Sequence, residues 1–142
     1  MSGTEYIIRG VPYELIGQFW KFAEPFVKRA LDHTHGEMTH LDLAQMCLKR
    51  DAQLWLIYHN GRVVGAGTTE IVLYPQKKVC RIITLAGTEF DEWMGMAHDV
   101  VSLWAKEQGC QAMQALTRTG FVPKLKSIGY KNRYCICDKP LE

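Results

Sequence analysis

The sequence predicts an α/β (α+β) fold in which a mixed, mainly antiparallel sheet has helices on both faces. Residues 53–85 form three successive runs of β-forming residues joined by short turns, which is the pattern of an antiparallel meander. From Asp91 the apolar residues follow a helical period instead, and Gln111–Leu116 then returns to a strand pattern. A strand, a long helix and a further strand imply a right-handed crossover, so one strand pair is expected to be parallel.

Length and composition are those of a globular domain. The chain has 142 residues, of which 47% are hydrophobic and 23% are charged, and we expect residues 1–142 to fold as a single domain. The N-terminal Met1–Glu5 lacks the basic and apolar regions of a signal peptide, and no apolar run approaches the ~18 residues that span a bilayer. A soluble, cytoplasmic protein is therefore expected.

The N-terminal third is predicted to begin with a strand and an amphipathic helix. Tyr6–Gly10 is the strand candidate. Apolar residues then recur three and four positions apart through Leu15–Leu31, which is typical of a helix with one apolar face. Pro25 removes one backbone donor from that helix, so a kink or break near Phe22 is expected.

A second helix is predicted to begin at Thr39. A threonine side chain can accept the backbone N–H three residues further on, and Asp42 at that position can return the bond, which is the capping-box pattern. The helix is expected to extend through Lys49.

Turn residues define the connections of the sheet. Gln53–Tyr58 and Val63–Tyr74 are the first two strands of the meander. Asn60 and Gly61 between them tolerate positive φ, which is the strongest short-range hairpin signal. Val79–Leu85 follows after a second turn as the next strand.

The C-terminal third is predicted to contain two helices and two strands. The helix that starts at Asp91 is expected to end at Gly109, a residue typical of the C-cap. A short helix with Pro123 in its first turn and Gly129 at its end should follow the next strand. Tyr134–Cys137 is the last predicted strand.

Cysteines and histidines are the candidate metal ligands of the chain. The five cysteines lie in apolar segments and are expected to be reduced, buried thiols. A zinc or redox site at Cys135 and Cys137 is the alternative. Three histidines, His33, His35 and His40, could meet around a metal, but no set of cysteines or carboxylates stands beside them at a known ligand spacing. We therefore predict no metal site.

The C-terminal part of the chain is basic. Between Gln108 and Cys137 there is no acidic residue, whereas five residues are basic: Arg118, Lys124, Lys126, Lys131 and Arg133. A solvated surface accounts for them, and a site for an anion such as a nucleotide phosphate or a nucleic acid is the alternative. A nucleic-acid site would lose affinity steeply with added salt.

The order of elements across Gln53–Tyr130 resembles the core of the GNAT acyltransferases, which use acetyl-CoA. The resemblance implies that Val79–Leu85 and Gln111–Leu116 are the two strands that splay apart to admit the acyl-pantetheine arm. In that family the arm pairs with the first of these strands as an added strand would. Three residues are then implied to face the coenzyme through their backbone: Ile83, Thr84 and Leu85.

The same resemblance places the coenzyme pyrophosphate on a Q/R-x-x-G-x-G/A loop before the long helix, where free N–H groups and the helix dipole favour an anion. Here Gly87 alone matches the glycines of that loop, and three carboxylates follow it: Glu89, Asp91 and Glu92. Acids at this place are expected to cap the helix and to repel a dianionic ligand. Gly87 and Arg118 remain the candidate coenzyme contacts in this region.

The family's motif helix has the pattern N-x-x-A-x-x-x-Y-x-x-x-G-F, and its tyrosine protonates the departing thiolate. Ile128, Gly129 and Tyr130 are similar to the end of this motif, but Leu125 stands at the tyrosine position, so the general acid is absent. The general base in such enzymes is often a glutamate on a central strand. Glu70 is the candidate here, and an ordinary polar residue on the open face of a strand is the alternative.

Residues 117–121 and the helix end at 128–130 resemble short GNAT-like proteins of tailed bacteriophages. The leading function implied is a divergent N-acyltransferase that transfers an acetyl group from acetyl-CoA to a small-molecule or protein amine. The alternative is a non-catalytic structural protein with the same fold, associated with the virion or with a phage or host partner. A nucleic-acid-binding accessory is a third hypothesis, and no membrane association is expected.

Overall fold

The computed structural model describes residues 5–141 and contains a five-stranded sheet. Its strands are β1 (Tyr6–Val11), β2 (Gln53–His59), β3 (Arg62–Leu73), β4 (Lys78–Gly87) and β5 (Ala112–Ala115). Its α-helices are α1 (Ile16–Leu31), α2 (His40–Leu48), α3 (Phe90–Glu107) and α4 (Val122–Ser127). No helix in this part of the chain is long and apolar enough to cross a membrane.

The strands lie in the order β1-β2-β3-β4-β5. Strands β1 to β4 pair with one another in antiparallel fashion, and β5 is parallel to β4 because α3 carries the chain back between them. The β2–β3 hairpin turns at Asn60 and Gly61, whose φ angles of 53° and 79° are the positive values of a type I′ turn. The predicted mixed, mainly antiparallel sheet is confirmed.

Strand β2 shows how the sheet separates two apolar layers. Leu54 and Leu56 are fully buried in the core that α1 and α2 cover. Trp55 and Ile57 alternate with them and contact α3 on the other side, since successive side chains of a strand point to opposite faces. Helices therefore cover both faces, as the sequence predicts.

Helix α1 is not broken at Pro25. The helix is continuous over its whole length with the proline inside it, so the predicted break near Phe22 is wrong. Ala23 and Val27, on either side of the proline, are 0% and 1% exposed. This packing outweighs the loss of one backbone donor, because tertiary contacts supply most of the stability of a helix.

The predicted strand Tyr134–Cys137 is absent. Residues 130–141 contain neither strand nor helix, and they pair with no strand of the sheet. A run of β-forming residues needs a partner to become a strand. Both cysteines of this segment are exposed, whereas Cys47 and Cys80 are buried, so the expectation of buried thiols is wrong for the C-terminal pair.

Helix α2 begins at the predicted capping box. The backbone N–H of Asp42 donates to Thr39 Oγ1 (3.2 Å), and the backbone N–H of Thr39 donates to the Asp42 carboxylate (2.8 Å). The bond from the Thr39 backbone lowers the pKa of Asp42, because it favours the charged carboxylate.

We expect Thr39→Ala to lower the free energy of unfolding by about 1 kcal/mol, because the Asp42 amide loses its acceptor. Urea denaturation measures the change.

Asp42→Asn is the companion variant. Because the pKa of Asp42 is lowered in the folded state, its carboxylate stabilises the fold above its unfolded-state pKa. This stabilisation is lost as the pH falls through the folded-state pKa. The deficit of Asp42→Asn should therefore shrink in acid, and a pH-independent deficit would contradict this account.

Candidate active site

A cleft opens in the sheet where β5 ends. The last pair between β4 and β5 joins Ile82 to Ala115, but β4 continues to Gly87. Residues 83–87 therefore have no strand partner on that side, and a cavity of about 420 Å³ lies beside them. This volume is typical of a small-molecule site.

Ile83 is left out of the strand pairing on both sides. On the β3 side, Thr68 is opposite Thr84 and Thr69 is opposite Ile82, so Ile83 is the extra residue of a β-bulge. On the β5 side, it lies one residue beyond the last pair. A bulge leaves its extra residue outside the regular ladder, so the pairing of β4 is interrupted at Ile83 on both sides.

The structure brings most of the predicted site residues together. All five candidate coenzyme contacts line the cleft: Ile83, Thr84, Leu85, Gly87 and Arg118. The side chain of Thr84 is held by β3, because its hydroxyl lies 2.7 Å from the hydroxyl of buried Thr68. The contacts themselves stay predictions, but the residues share one cavity.

The glycine at position 87 is required by packing. A Cβ atom there would lie 2.5 Å from the carbonyl oxygen of Val64 and 2.7 Å from the ring of Trp93. Gly65 lies opposite on β3, and a Cβ atom at that position would also lie 2.7 Å from the Trp93 ring. The two glycines make room for a tryptophan that is 0% exposed, so Gly87 has a structural reason that is independent of any coenzyme.

The Glu89 side chain contacts β1 and β2 and does not line the cleft. Its carboxylate accepts a hydrogen bond from the Tyr6 hydroxyl and lies 3.5 Å from His59 Nδ1. The hydrogen bond to Glu89 raises the pKa of Tyr6 to about 12. Glu89 is the N-cap residue of α3, but its side chain makes no capping bond, so the prediction that it caps the helix is wrong.

Asp91 is neutralised by Lys124, whose ammonium donates to the Asp91 carboxylate. Neither Glu89 nor Asp91 lines the cleft, and Glu92 does not line it either. The negative charge that the sequence places at the start of α3 is thus partly paired and lies outside the cavity wall. An anionic ligand in the cleft meets less repulsion than the sequence alone indicates.

His98 lines the cleft and is hydrogen-bonded to Tyr130, which does not itself line it. His98 Nε2 lies 2.7 Å from the Tyr130 hydroxyl, and its Nδ1 lies 3.4 Å from Ser102 Oγ. His98 lines the cavity from α3. Burial lowers the pKa of His98 and raises the pKa of Tyr130, so at neutral pH the imidazole is uncharged and the phenol keeps its proton.

The family's tyrosine position and the predicted general base lie in different places. Leu125, at the family's tyrosine position, lines the cleft and is 6% exposed. Glu70 does not line it; its carboxylate lies 3.9 Å from Arg81 Nη1, the guanidinium of the facing residue on β4. The structure therefore does not bring Glu70 together with the other site residues.

The histidines considered as metal ligands make separate contacts. His33 Nδ1 lies 3.3 Å from Arg118 Nη1, and His40 Nε2 lies 3.5 Å from the carboxylate of Glu24. Within residues 5–141, no group of three or more His, Cys, Asp or Glu side chains is arranged to hold a metal ion.

Several solved structures with the same architecture are acetyltransferases. An aminoglycoside acetyltransferase from an uncultured soil metagenomic sample, in complex with sisomicin, matches with a TM-score of 0.74 and 10% identity over 100% of both chains. The aminoglycoside N-acetyltransferase AAC(6')-Iy in complex with CoA matches with a TM-score of 0.69 and 14% identity over 96% of this chain and 95% of that one. A ribosomal-protein-alanine N-acetyltransferase from Brucella melitensis has a TM-score of 0.69 and 13% identity over 97% of this chain and 100% of its own.

The fold is therefore that of the GNAT acetyltransferases. No protein-family model and no curated protein sequence matches the chain. At these identities the likeness defines the fold, and the activity has to be argued from the site.

Proposed function

We propose that the protein is an acyl-CoA-dependent N-acyltransferase that acetylates an amine. The observation that supports this most strongly is the separation of β4 from β5, which leaves residues 83–85 as an unpaired strand edge on the wall of a cleft. The amide groups of a pantetheine arm can bond to such an edge as an added strand does.

The cleft residues fit acetyl-CoA. Leu85, Met94 and Leu116 make part of the wall apolar, which suits the thioester arm. Lys124 lines the cleft and contacts the start of α3 through Asp91, where helix N–H groups also favour phosphate. Lys124 would exchange the Asp91 carboxylate for a coenzyme phosphate on binding.

Two features of the chain suit acyl transfer, namely the backbone of Ile83 and the His98–Tyr130 pair. When bound, acetyl-CoA supplies a thioester whose C–S bond breaks as a C–N bond to the amine forms, so one proton leaves the nitrogen and one reaches the sulphur. Ile83, the unpaired bulge residue, offers a backbone donor for the carbonyl oxygen on which negative charge develops.

The His98–Tyr130 pair is the second feature, and we assign it the proton transfers. The Tyr130 hydroxyl does not line the cleft, so it would give its proton to the leaving sulphur through a water molecule, replacing the phenol that is missing at Leu125. His98, which lines the cleft, would take the proton that the amine releases and pass it from Nε2, 2.7 Å away, to the Tyr130 oxygen. The pair then begins and ends the reaction in the same protonation state.

Calorimetric titration with acetyl-CoA tests the proposal, and we expect micromolar binding. Leu116→Trp should weaken binding at least about tenfold, or 1.4 kcal/mol, by filling the cleft. Leu103→Trp is the matched control, because Leu103 is as exposed (61% against 57%) but does not line the cavity. Absence of binding at millimolar acetyl-CoA would overturn the proposal and favour the non-catalytic structural or virion-associated alternative.

A further inference from the structure

The charged side chains in the cleft wall all have one sign. Three of the lining residues are basic, namely Arg29, Arg118 and Lys124, and no described aspartate or glutamate lines the cavity. Lys124 is paired with Asp91, but neither arginine forms an ion pair with any described acid. Two uncompensated guanidinium groups thus face one cavity.

The two arginines gather at the α1 side of the cleft. Arg118 Nη1 donates to His33 Nδ1 at 3.3 Å, and His33 lies just after the C-terminus of α1, the helix that carries Arg29. Arg29 itself contacts the protein through the ring of Phe26, 5.5 Å from its guanidinium carbon. Both guanidinium groups keep donors free for a ligand, since a guanidinium has five.

The α1 side of the cleft, where the arginines lie, is opposite the side that suits the coenzyme phosphates. α1 packs on one face of the sheet and α3 on the other, while Lys124 contacts Asp91 and Phe90 at the start of α3. Residues of both helices line the same cavity, among them Ala30 of α1 and Met94 of α3. We therefore place the coenzyme phosphates at the α3 side of the cavity and the arginines at its α1 side.

Building on the proposed function, we infer that the acyl acceptor is an amine that also carries an anionic group, such as a carboxylate or a phosphate. Arginines recognise such groups by paired charge-assisted hydrogen bonds. The same arginines repel a second ammonium group, and the wall offers no carboxylate to offset that repulsion. A polycationic acceptor such as an aminoglycoside does not suit this cleft.

A matched series of amines tests the inference without relying on turnover. ε-Aminocaproate, hexylamine and hexamethylenediamine share one carbon chain and differ at the far end, which is anionic, neutral or cationic. NMR titration of the coenzyme-free protein should show tightest binding of ε-aminocaproate and weakest binding of hexamethylenediamine. An equal or reversed order, or no binding by any of the three, overturns the inference.

Charge variants give the test a second measurement. Arg118→Gln should weaken ε-aminocaproate binding about tenfold, and Arg118→Glu should reverse the preference towards hexamethylenediamine. Arg133→Gln is the control, because Arg133 is exposed and does not line the cleft. An unchanged preference in Arg118→Glu overturns the assignment of this residue.

The coenzyme phosphates are another source of anionic groups, so acetyl-CoA is titrated into the same variants. If Arg118→Gln weakens acetyl-CoA binding and leaves ε-aminocaproate binding unchanged, the arginine serves the coenzyme and the inference fails. If the wild-type protein does not bind acetyl-CoA, the proposed acyltransferase activity is overturned. The relative affinities of the three amines still test whether Arg29 and Arg118 form an anion site. The two failures are thus distinguishable.

Discussion

Trp93→Ala is expected to lower the free energy of unfolding by about 3–5 kcal/mol, the range for removing a large buried aromatic side chain. Trp93 is 0% exposed and packs with Tyr6, Ile57 and Ala97 between α3 and the sheet. Its Nε1 donates to the Thr88 carbonyl oxygen at 2.8 Å. The substitution therefore leaves a cavity and also leaves a carbonyl oxygen without its donor.

Urea denaturation of Trp93→Ala measures this loss, and Met96→Ala is the control on the same helix. Met96 is 44% exposed, so its truncation should change the free energy of unfolding by no more than about 0.5 kcal/mol. Equal losses for the two variants would show that Trp93 does not anchor α3. A large loss for Trp93→Ala alone would confirm that α3, which supplies one wall of the cleft, depends on this side chain.

The regular elements were predictable because their signals are local. The hairpin at Asn60 and Gly61 follows from the φ angles that these residue types accept, and the start of α2 follows from Thr39 and Asp42, three residues apart. The strand at Tyr134–Cys137 was predicted by the same local rule and is absent. Its β-forming residues could not show whether a partner strand lies beside them.

Of the candidate site, the sequence predicts only the part that is made of backbone. That Ile83 to Leu85 bind the coenzyme stays a prediction, but these residues could be placed at the cleft because the element order resembles a family in which that strand edge is free. Glu89 could not, since its partner Tyr6 is 83 residues away in the sequence. From the sequence alone, Glu89 is one of three acids at a helix start, and only tertiary contacts show that its carboxylate leaves the cleft.

His98 was missed because it lies within an apolar helical stripe. It follows Ala97 and precedes Val101 by three positions, as a core residue would. Its partner Tyr130 is 32 residues away and matches no catalytic position of the family motif. A histidine on the buried face of a helix was the one available signal, because such a side chain needs a hydrogen-bond partner.

Tyr130→Phe is expected to lower kcat for acetyl transfer by about 10²-fold or more, the usual contribution of a general acid. The amine used is the best acceptor of the series above, and release of free thiol reports turnover. Acetyl-CoA binding should not change, because the phenol ring and its packing remain. Tyr134→Phe is the matched control, since Tyr134 is 84% exposed.

The pH dependence of kcat separates a proton-transfer role from a packing role. Burial lowers the pKa of His98, so the uncharged imidazole persists to a lower pH than in an exposed histidine, and kcat should fall in acid as His98 takes up a proton. His98→Gln should remove this acid limb as well as lower kcat. If Tyr130→Phe turns over as fast as Tyr134→Phe, or if His98→Gln keeps the acid limb, the proton transfers belong to other groups.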